Sequence, residues 1–522
     1  MTPRLFYWAL TSALAGFLFG FDTVVISGAE QTIEKLWNLD KATHGLAIGS
    51  ALWGTVLGSL VGGWPTDRFG RKNTLLALGG LYLVSAVWSA VAPDVYQLMA
   101  ARFIGGIAIG VSTVAAPLYI SEIAPPRSRG WMTGMFQFNI VFGILVAFAS
   151  NWLVERVVTA DAWRWMLGVV AVPSLVYTVM AFGLPESPRW LLRRGDRDRG
   201  IDTLRRINPA MAPAEIAALA AEIEAGSRGE AAGGLSGFFT RRLKVPILLA
   251  FLVAFFNQLS GINAILYFAP RIFGLAGIEN GVAVSVGIGV VNLIFTFVGL
   301  WLIDRLGRRT LLYIGSFGYI LSLGLCAAVF FTYAPPFKVA SSAIEVKSAV
   351  KGLGEAIDIN RPAAESKLAG ATAALAEASR AANSGVEPVT FDGSTRPEVV
   401  ADAALKQASA AVGPGGLLVI GCIFAFIAAH AVGQGAVIWV FISEIFPNQY
   451  RATGQALGSF THWIFAALLA TFFPAMIAAF APGVVFAFFA GMMVLQLIWV
   501  ATMVPETKGV PLEQIEQKLG VR

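Results

Sequence analysis

Long apolar runs alternate with short polar joints along this chain. Twelve of them can be marked, centred near Ala13, Leu52, Leu83, Gly110, Phe142, Ala171, Phe256, Val291, Leu321, Phe426, Ala467 and Met493. A helix needs roughly 20 mostly apolar residues to cross the hydrocarbon core of a bilayer, so the pattern predicts twelve transmembrane helices. The first run, which follows Arg4, also has the outline of a signal peptide, being short and followed by small residues. Removing it leaves an odd number of spans and breaks a repeat that the rest of the chain keeps. Two long polar stretches interrupt the alternation, at about 185–244 and about 334–414.

Charge placement orients the spans. Basic residues crowd the loops on the side of the termini: Arg4, then Arg68, Arg71 and Lys72, then Arg127 and Arg129, a dense run from Arg189 to Lys244, Arg305, Arg308 and Arg309, Arg451, and Lys508 to Arg522. The opposite short loops hold only Lys35, Lys41, Arg156, Arg164 and Arg271. Cytoplasmic loops carry the excess of Lys and Arg, so the expectation is a multi-pass protein of the cell (inner) membrane with both termini cytoplasmic. The net charge of +6 therefore reports topology, not a nucleic-acid partner. Composition agrees: 13% of the 522 residues are charged and 56% apolar, against about 25% charged in soluble domains. Cys326 and Cys422 both lie inside apolar runs, so no disulfide framework is proposed.

The chain repeats itself. Asp67-Arg-Phe-Gly-Arg-Lys72 after the second run returns as Asp304-Arg-Leu-Gly-Arg-Arg309 after the eighth. Ser121-Glu-Ile-Ala-Pro125 with Arg129 returns, at equal spacing, as Ser443-Glu-Ile-Phe-Pro447 with Arg451, and Pro185-Glu-Ser-Pro-Arg189 as Pro505-Glu-Thr-Lys508. Two pseudo-symmetric six-helix halves follow, a transporter architecture. The expected divisions are 1–184 for the first half, 185–244 for cytoplasmic linker helices, 245–333 and 415–505 for the second half, 334–414 for an extracytoplasmic insertion, and 506–522 for a cytoplasmic tail. The insertion is Ala-rich with mixed charge and reads most simply as a solvated or partly disordered loop. A helical cap is the sharper alternative, since Ala363 to Ala382 has helical character between Pro362 and Asn383-Ser-Gly385.

Each charged loop motif brings acids and guanidiniums to one membrane level. Asp67, Arg68, Arg71, Glu122 and Arg129 in one half, with Asp304, Arg305, Arg308, Glu444 and Arg451 in the other, are expected to form ion pairs across the halves that close the cytoplasmic side in one state and break in another. Topology anchoring is the plainer role.

An ionisable residue inside a span is costly and marks a functional candidate. Asp22 sits in the first run, and Arg102, near the start of the fourth, is its expected counter-ion. Protonating Asp22 would free Arg102 and change the pairing, which couples proton binding to conformation. His430 and His462 lie in the tenth and eleventh runs and are expected to line a polar cavity, whereas His44 is expected at the surface. Asn257, Gln258, Ser260, Gly261 and Asn263 share a broad face of the seventh run, and Gln137, Asn292, Trp439 and Trp463 complete a set able to converge at mid-membrane. Amides exchange hydrogen bonds with vicinal hydroxyls, and an indole packs on a sugar ring face, so the set suits a neutral polyhydroxylated ligand.

Taken together, G-F-D-T-V-V-I-S-G, D-R-F-G-R-K, S-E-I-A-P, P-E-S-P-R-W, Q-L-S-G-I-N-A-I-L-Y, D-R-L-G-R-R, W-V-F-I-S-E-I-F-P and P-E-T-K-G closely resemble the sugar porter family of the major facilitator superfamily, over nearly the whole chain except 334–414. The resemblance implies an all-α membrane protein with the major facilitator fold, working by alternating access as a functional monomer in the lipid bilayer. It implies sugar contacts at Gln137, Gln258, Asn263, Asn292 and Trp439, with Tyr267 in an outer gate. It also implies that Asp22 paired with Arg102 marks a proton symporter of a monosaccharide. Three departures bear on which sugar is carried: Asn257 where Gln is common, His462 before Trp463 where Asn or Gln is usual, and Gly433-Gln-Gly435 in place of a Pro-rich stretch. A proton-independent uniporter stays open, as does a transporter-like sensor, although such sensors usually carry a long tail and this chain ends soon after Pro505. No nucleophile, metal cluster or phosphate loop suggests an enzyme or a cofactor, and an amide-rich cavity poorly suits the lipophilic cations of drug antiporters.

Overall fold

The computed structural model describes residues 2–125, 128–229, 235–354, 361–391, 395–510 and 512–520. Among these, twelve helices are long and apolar enough to cross a membrane: Pro3–Leu36, Lys41–Val61, Arg71–Val91, Val95–Ile123, Gly130–Val157, Ala162–Phe182, Arg241–Tyr267, Gly281–Leu306, Arg308–Thr332, Gly415–Ile445, Arg451–Ala479 and Pro482–Met503. They are numbered here as spans 1 to 12. The even count returns the chain to the face from which it started, called the terminal face below; the other is the distal face.

Local chemistry sets several helix starts. Asp40 caps span 2 by accepting from the Ala42 and Thr43 amides, at 2.9 and 3.1 Å, and Asp94 caps span 4 through the Tyr96 and Gln97 amides, both 2.9 Å. Within the bilayer there is no hydrophobic drive between helices, so small residues let backbones approach. Spans 2 and 4 meet this way: a Cβ on Gly54 would strike the Phe103 carbonyl, and one on Gly106 the Ala51 carbonyl.

Spans 1–6 and 7–12 form the two halves. They meet along two seams, span 2 against span 11, where the Trp53 indole donates to Thr471 Oγ1 at 3.1 Å, and span 5 against span 8, where Phe138 and Phe297 lie 5.6 Å apart. On the terminal face, helices Pro188–Arg193, Arg197–Ile207 and Pro213–Gly229 bury Leu192, Leu204, Ile216 and Ala220 in a small core of their own.

The insertion is not a solvated loop. Its described residues fold into three helices, Ala334–Gly354, Arg361–Ala382 and Pro397–Val412, which bury Val339, Ala343, Val346, Leu375, Ala401 and Ala408 against one another and against the distal ends of the spans. Alanines spaced around helices are enough for this, because small side chains let three short helices pack closely. The middle helix stops where Asn383 takes a φ of 47° and Gly385 one of 70°.

Candidate functional site

Two helix breaks shape the centre of the second half. Span 7 stops at Leu259, turns through Ser260 and Gly261 (φ 85°), and resumes as Ile262–Tyr267. The left-handed turn suits glycine, and a Cβ there would also lie 2.7 Å from the Phe489 ring. Ser260 Oγ donates to the freed Asn257 carbonyl at 2.6 Å, so the break leaves that backbone group satisfied. Span 10 breaks at Gly433, between Val432 and Gln434, and a Cβ on Gly435 would sit 2.9 Å from the His430 carbonyl.

Beside the first break the amides join hands. Gln258 Nε2 donates to Asn257 Oδ1 at 2.9 Å and lies 3.2 Å from the His462 ring nitrogens, while Asn263 Nδ2 donates to Gln258 Oε1 at 2.8 Å. The His462 ring stands 5.2 Å from Trp439 and 4.7 Å from Trp463, whose Nε1 is buried without a partner. Phe19 of span 1 closes on Trp463 from the other half at 5.4 Å. This is an uncharged cluster of donors and acceptors walled by aromatic faces. Gln137 and Asn292 are half-buried on the packed spans 5 and 8, with no hydrogen bond to the cluster among the described residues. His430 stays apart from it, 2.8 Å from the Tyr319 hydroxyl.

The first half carries the charge. Asp22 and Arg102 are 4% and 1% exposed, with Arg102 Nη1 3.5 Å from Asp22 Oδ1 and Nη2 donating to the Asp22 carbonyl at 3.0 Å. Asp22 Oδ2 and Arg102 Nε have no partner, so the pair is a loose one for so dry a place. Tyr267 is fully buried nearby, next to Thr23.

On the terminal face the described ion pairs lie inside each half in this state. Arg71 Nε and Nη2 grip Glu122 at 2.9 and 3.0 Å, and Nη1 reaches Asp67 at 3.0 Å. Arg308 repeats this on Glu444, at 3.1 and 2.7 Å, and on Asp304 at 3.5 Å. The backbone that carries each arginine is held by a further acid: Glu186 accepts from the Arg71 and Lys72 amides, and Glu506 from those of Arg308 and Arg309. Burial pushes the Glu186 carboxyl above its usual range, and backbone donors pull it partly back. Arg68 is exposed, Arg305 stacks on Trp301 at 3.9 Å, and Arg451 is half-buried with its Nε unpartnered. The Arg129 side chain lies outside the described residues.

One cluster escaped the sequence reading. His44 is fully buried, not at the surface, with its Nε2 3.2 Å from Glu30 Oε2, and Arg271 of the second half binds both Glu30 and Glu34. Glu30 follows Ile26-Ser-Gly-Ala29 at the end of the first apolar run, a signal that was available. A groove of about 350 Å³ between spans 9 and 10 is lined by Leu321, Leu325, Leu417 and Cys422; it faces the bilayer and holds none of the amides.

Residues 8–348 and 400–519 match the family model described as Sugar (and other) transporter. The chain is 31% identical to the arabinose-proton symporter of Bacillus subtilis (strain 168), over 97% of this chain and 93% of that one, and 32% identical to inositol transporter 4 of Arabidopsis thaliana, over 100% and 93%. Its fold is similar to the inward open conformation of the xylose transporter XylE from E. coli, with a TM-score of 0.71 at 25% identity, covering 98% of this chain and 99% of that one.

Proposed function

Because this chain belongs to the Sugar (and other) transporter family, a family of membrane transporters and not enzymes, we propose that it imports a neutral monosaccharide, hexose or pentose, together with a proton by alternating access. The observation that carries the reading is a division of chemistry: a buried, loosely paired Asp22 in one half and an uncharged amide, imidazole and indole cluster in the other. The cluster offers donors and acceptors to sugar hydroxyls and aromatic faces to a ring. The orphaned Oδ2 of Asp22 is where a proton would land, and neutralising the carboxylate releases Arg102.

In this reading Gln258, Asn257, Asn263, Trp439, His462 and Trp463 contact the sugar, with Gly435 keeping the span 10 break open to it. Gln137 and Asn292 join from the opposite wall when the halves close. The distal face is extracytoplasmic and shut, the terminal face is cytoplasmic, and the state is inward-facing. The protein works as a monomer in the cell membrane. Its sequence likeness to an arabinose-proton symporter and its fold likeness to a xylose transporter support this, and likeness to an inositol transporter brings cyclitols into the test.

The test is uptake of labelled glucose, galactose, fructose, xylose, arabinose and myo-inositol into proteoliposomes with and without an inward proton gradient. Gradient-driven accumulation above equilibrium is expected. Equilibration indifferent to the gradient would make the protein a uniporter.

A further inference from the structure

The distal face holds a charged cluster that the repeat does not contain and that neither the sugar nor the proton site uses. Glu30 on span 1 and His44 on span 2 are fully buried. Arg271, on the short helix Ala269–Leu275 that continues span 7, donates Nε to Glu30 Oε1 at 3.0 Å and Nη2 to Glu30 Oε2 at 2.7 Å, and its Nη2 also meets Glu34 Oε2 at 2.5 Å. Lys41 takes the other Glu34 oxygen at 2.5 Å. His44 Nε2 is 3.2 Å from Glu30 and Nδ1 3.8 Å from Glu34, close contacts without hydrogen-bond alignment, and its ring stands edge-on to Phe268 at 6.2 Å.

Glu30, Glu34, Lys41 and His44 all belong to the first half, and Arg271 alone crosses from the second. Among the described residues, the terminal face shows no ion pair of this kind, since each of its pairs lies within one half or within the linker. Glu30, Glu34 and His44 also have the grouping of a metal set, with ligand atoms within 4.8 Å of one another. The guanidinium already binds both carboxylates, so the cluster is matched to a tethered cation. A dry carboxylate is costly without a partner, which ties burial of Glu30 to the presence of Arg271.

We propose that Arg271 is the latch of the distal gate: bound to Glu30 and Glu34 it holds the distal face shut, and it leaves them when that face opens to load substrate. It is a positioning residue and does not touch the sugar. The inference rests on the alternating-access reading, and its test reads conformation without any substrate.

Thr23 is the reporter. It lies seven residues before Glu30 on span 1, about two helical turns deeper on the same face, buried beside Tyr267. Thr23→Cys is placed in the full chain with Cys326 and Cys422 replaced by Ala, in right-side-out vesicles, and labelled with a membrane-impermeant maleimide. Arg271→Gln should raise the labelling rate roughly tenfold, the scale of a typical coupling between two states. Arg271→Lys, which keeps a cation, should label far more slowly than Arg271→Gln. Glu30→Gln breaks the same contact from the other half and serves if Arg271→Gln does not reach the membrane. The double variant should label no faster than the faster single one, because both remove one interaction. Parental labelling rates in Arg271→Gln or Glu30→Gln protein that still elutes as a single species would overturn the latch. Faster labelling in a protein that carries no sugar would keep the latch and reject the transport reading; proton-driven uptake with unchanged labelling would do the reverse.

Discussion

The two halves share a frame and differ at the centre. At the terminal face they are near copies: Arg71 on Glu122 and Asp67 with Glu186 behind, Arg308 on Glu444 and Asp304 with Glu506 behind, each following a glycine at φ 95° or 90° that leaves room for the second acid. In the membrane they part. Spans 1 and 4 run as unbroken helices and bury Asp22 against Arg102, whereas spans 7 and 10, their counterparts in the repeat, break at Gly261 and Gly433 and bring amides and the Trp439 indole beside His462 of span 11. A continuous helix satisfies its own backbone and holds a side chain at fixed depth, which suits a charge pair. A broken one redirects several side chains to one point, which suits a ligand with many hydroxyls. The frame is duplicated because both halves must stand in the same bilayer; the centres are not, because they hold different things.

Five substitutions try that division, taken from the greatest effect to the least. Asp22→Asn should abolish uphill accumulation while counterflow exchange persists in proteoliposomes; retained accumulation would take the proton out of the first half. Arg71→Ala should lower stability by about 3–5 kcal/mol, the cost of stranding a buried partner, and Arg308→Ala by less, because Arg308 is 12% exposed against 2% for Arg71. Thermal melts in detergent would compare them, and opposite ranking would mean the two frames are not equivalent. Gln258→Ala removes the residue that links Asn257, Asn263 and His462, so sugar affinity should fall by about 1–3 kcal/mol. Unaltered binding in isothermal titration would move the sugar elsewhere. Lys347→Ala, in the distal cap, loses pairs with Glu279 and Asp402 at 2.5 and 2.6 Å, contacts that push the lysine pKa up. Its side chain is 40% exposed, so stability should change by no more than about 1 kcal/mol, and a larger drop in the melt would show that the cap is part of the frame.

Much of this was legible beforehand, and for a physical reason in each case. A bilayer demands long apolar helices, so spans declare themselves one by one; repeated loop motifs then reveal the halves. Asp22 and Arg102 stood out because charge is rare in such runs, and Asn257, Gln258 and Asn263 because amides are grouped within one. His44 did not, since a histidine just after a polar turn reads as surface, and its burial depends on Phe268 and Glu30 arriving from elsewhere in the chain. Arg271 and Glu30 lie 241 positions apart, beyond any periodicity. The loop motifs put Arg71, Glu122, Arg308 and Glu444 at one membrane level, and only the structure shows that in this state each arginine holds the acid of its own half, because a motif shows which charges share a level and not which of them touch.

What the sequence by itself determined is therefore what the solvent enforces: the number of spans, their repeat, and the few polar residues that the hydrocarbon tolerates only with a purpose. What only the tertiary structure decided is which distant groups meet. Gln258 of span 7 and Trp439 of span 10 meet at His462 of span 11, three Ala-rich helices find enough common surface to pack, and Arg271 reaches across the distal face. Those outcomes turn on distances of a few ångströms between elements hundreds of residues apart, where packing and paired charge set the energy and no local pattern records it.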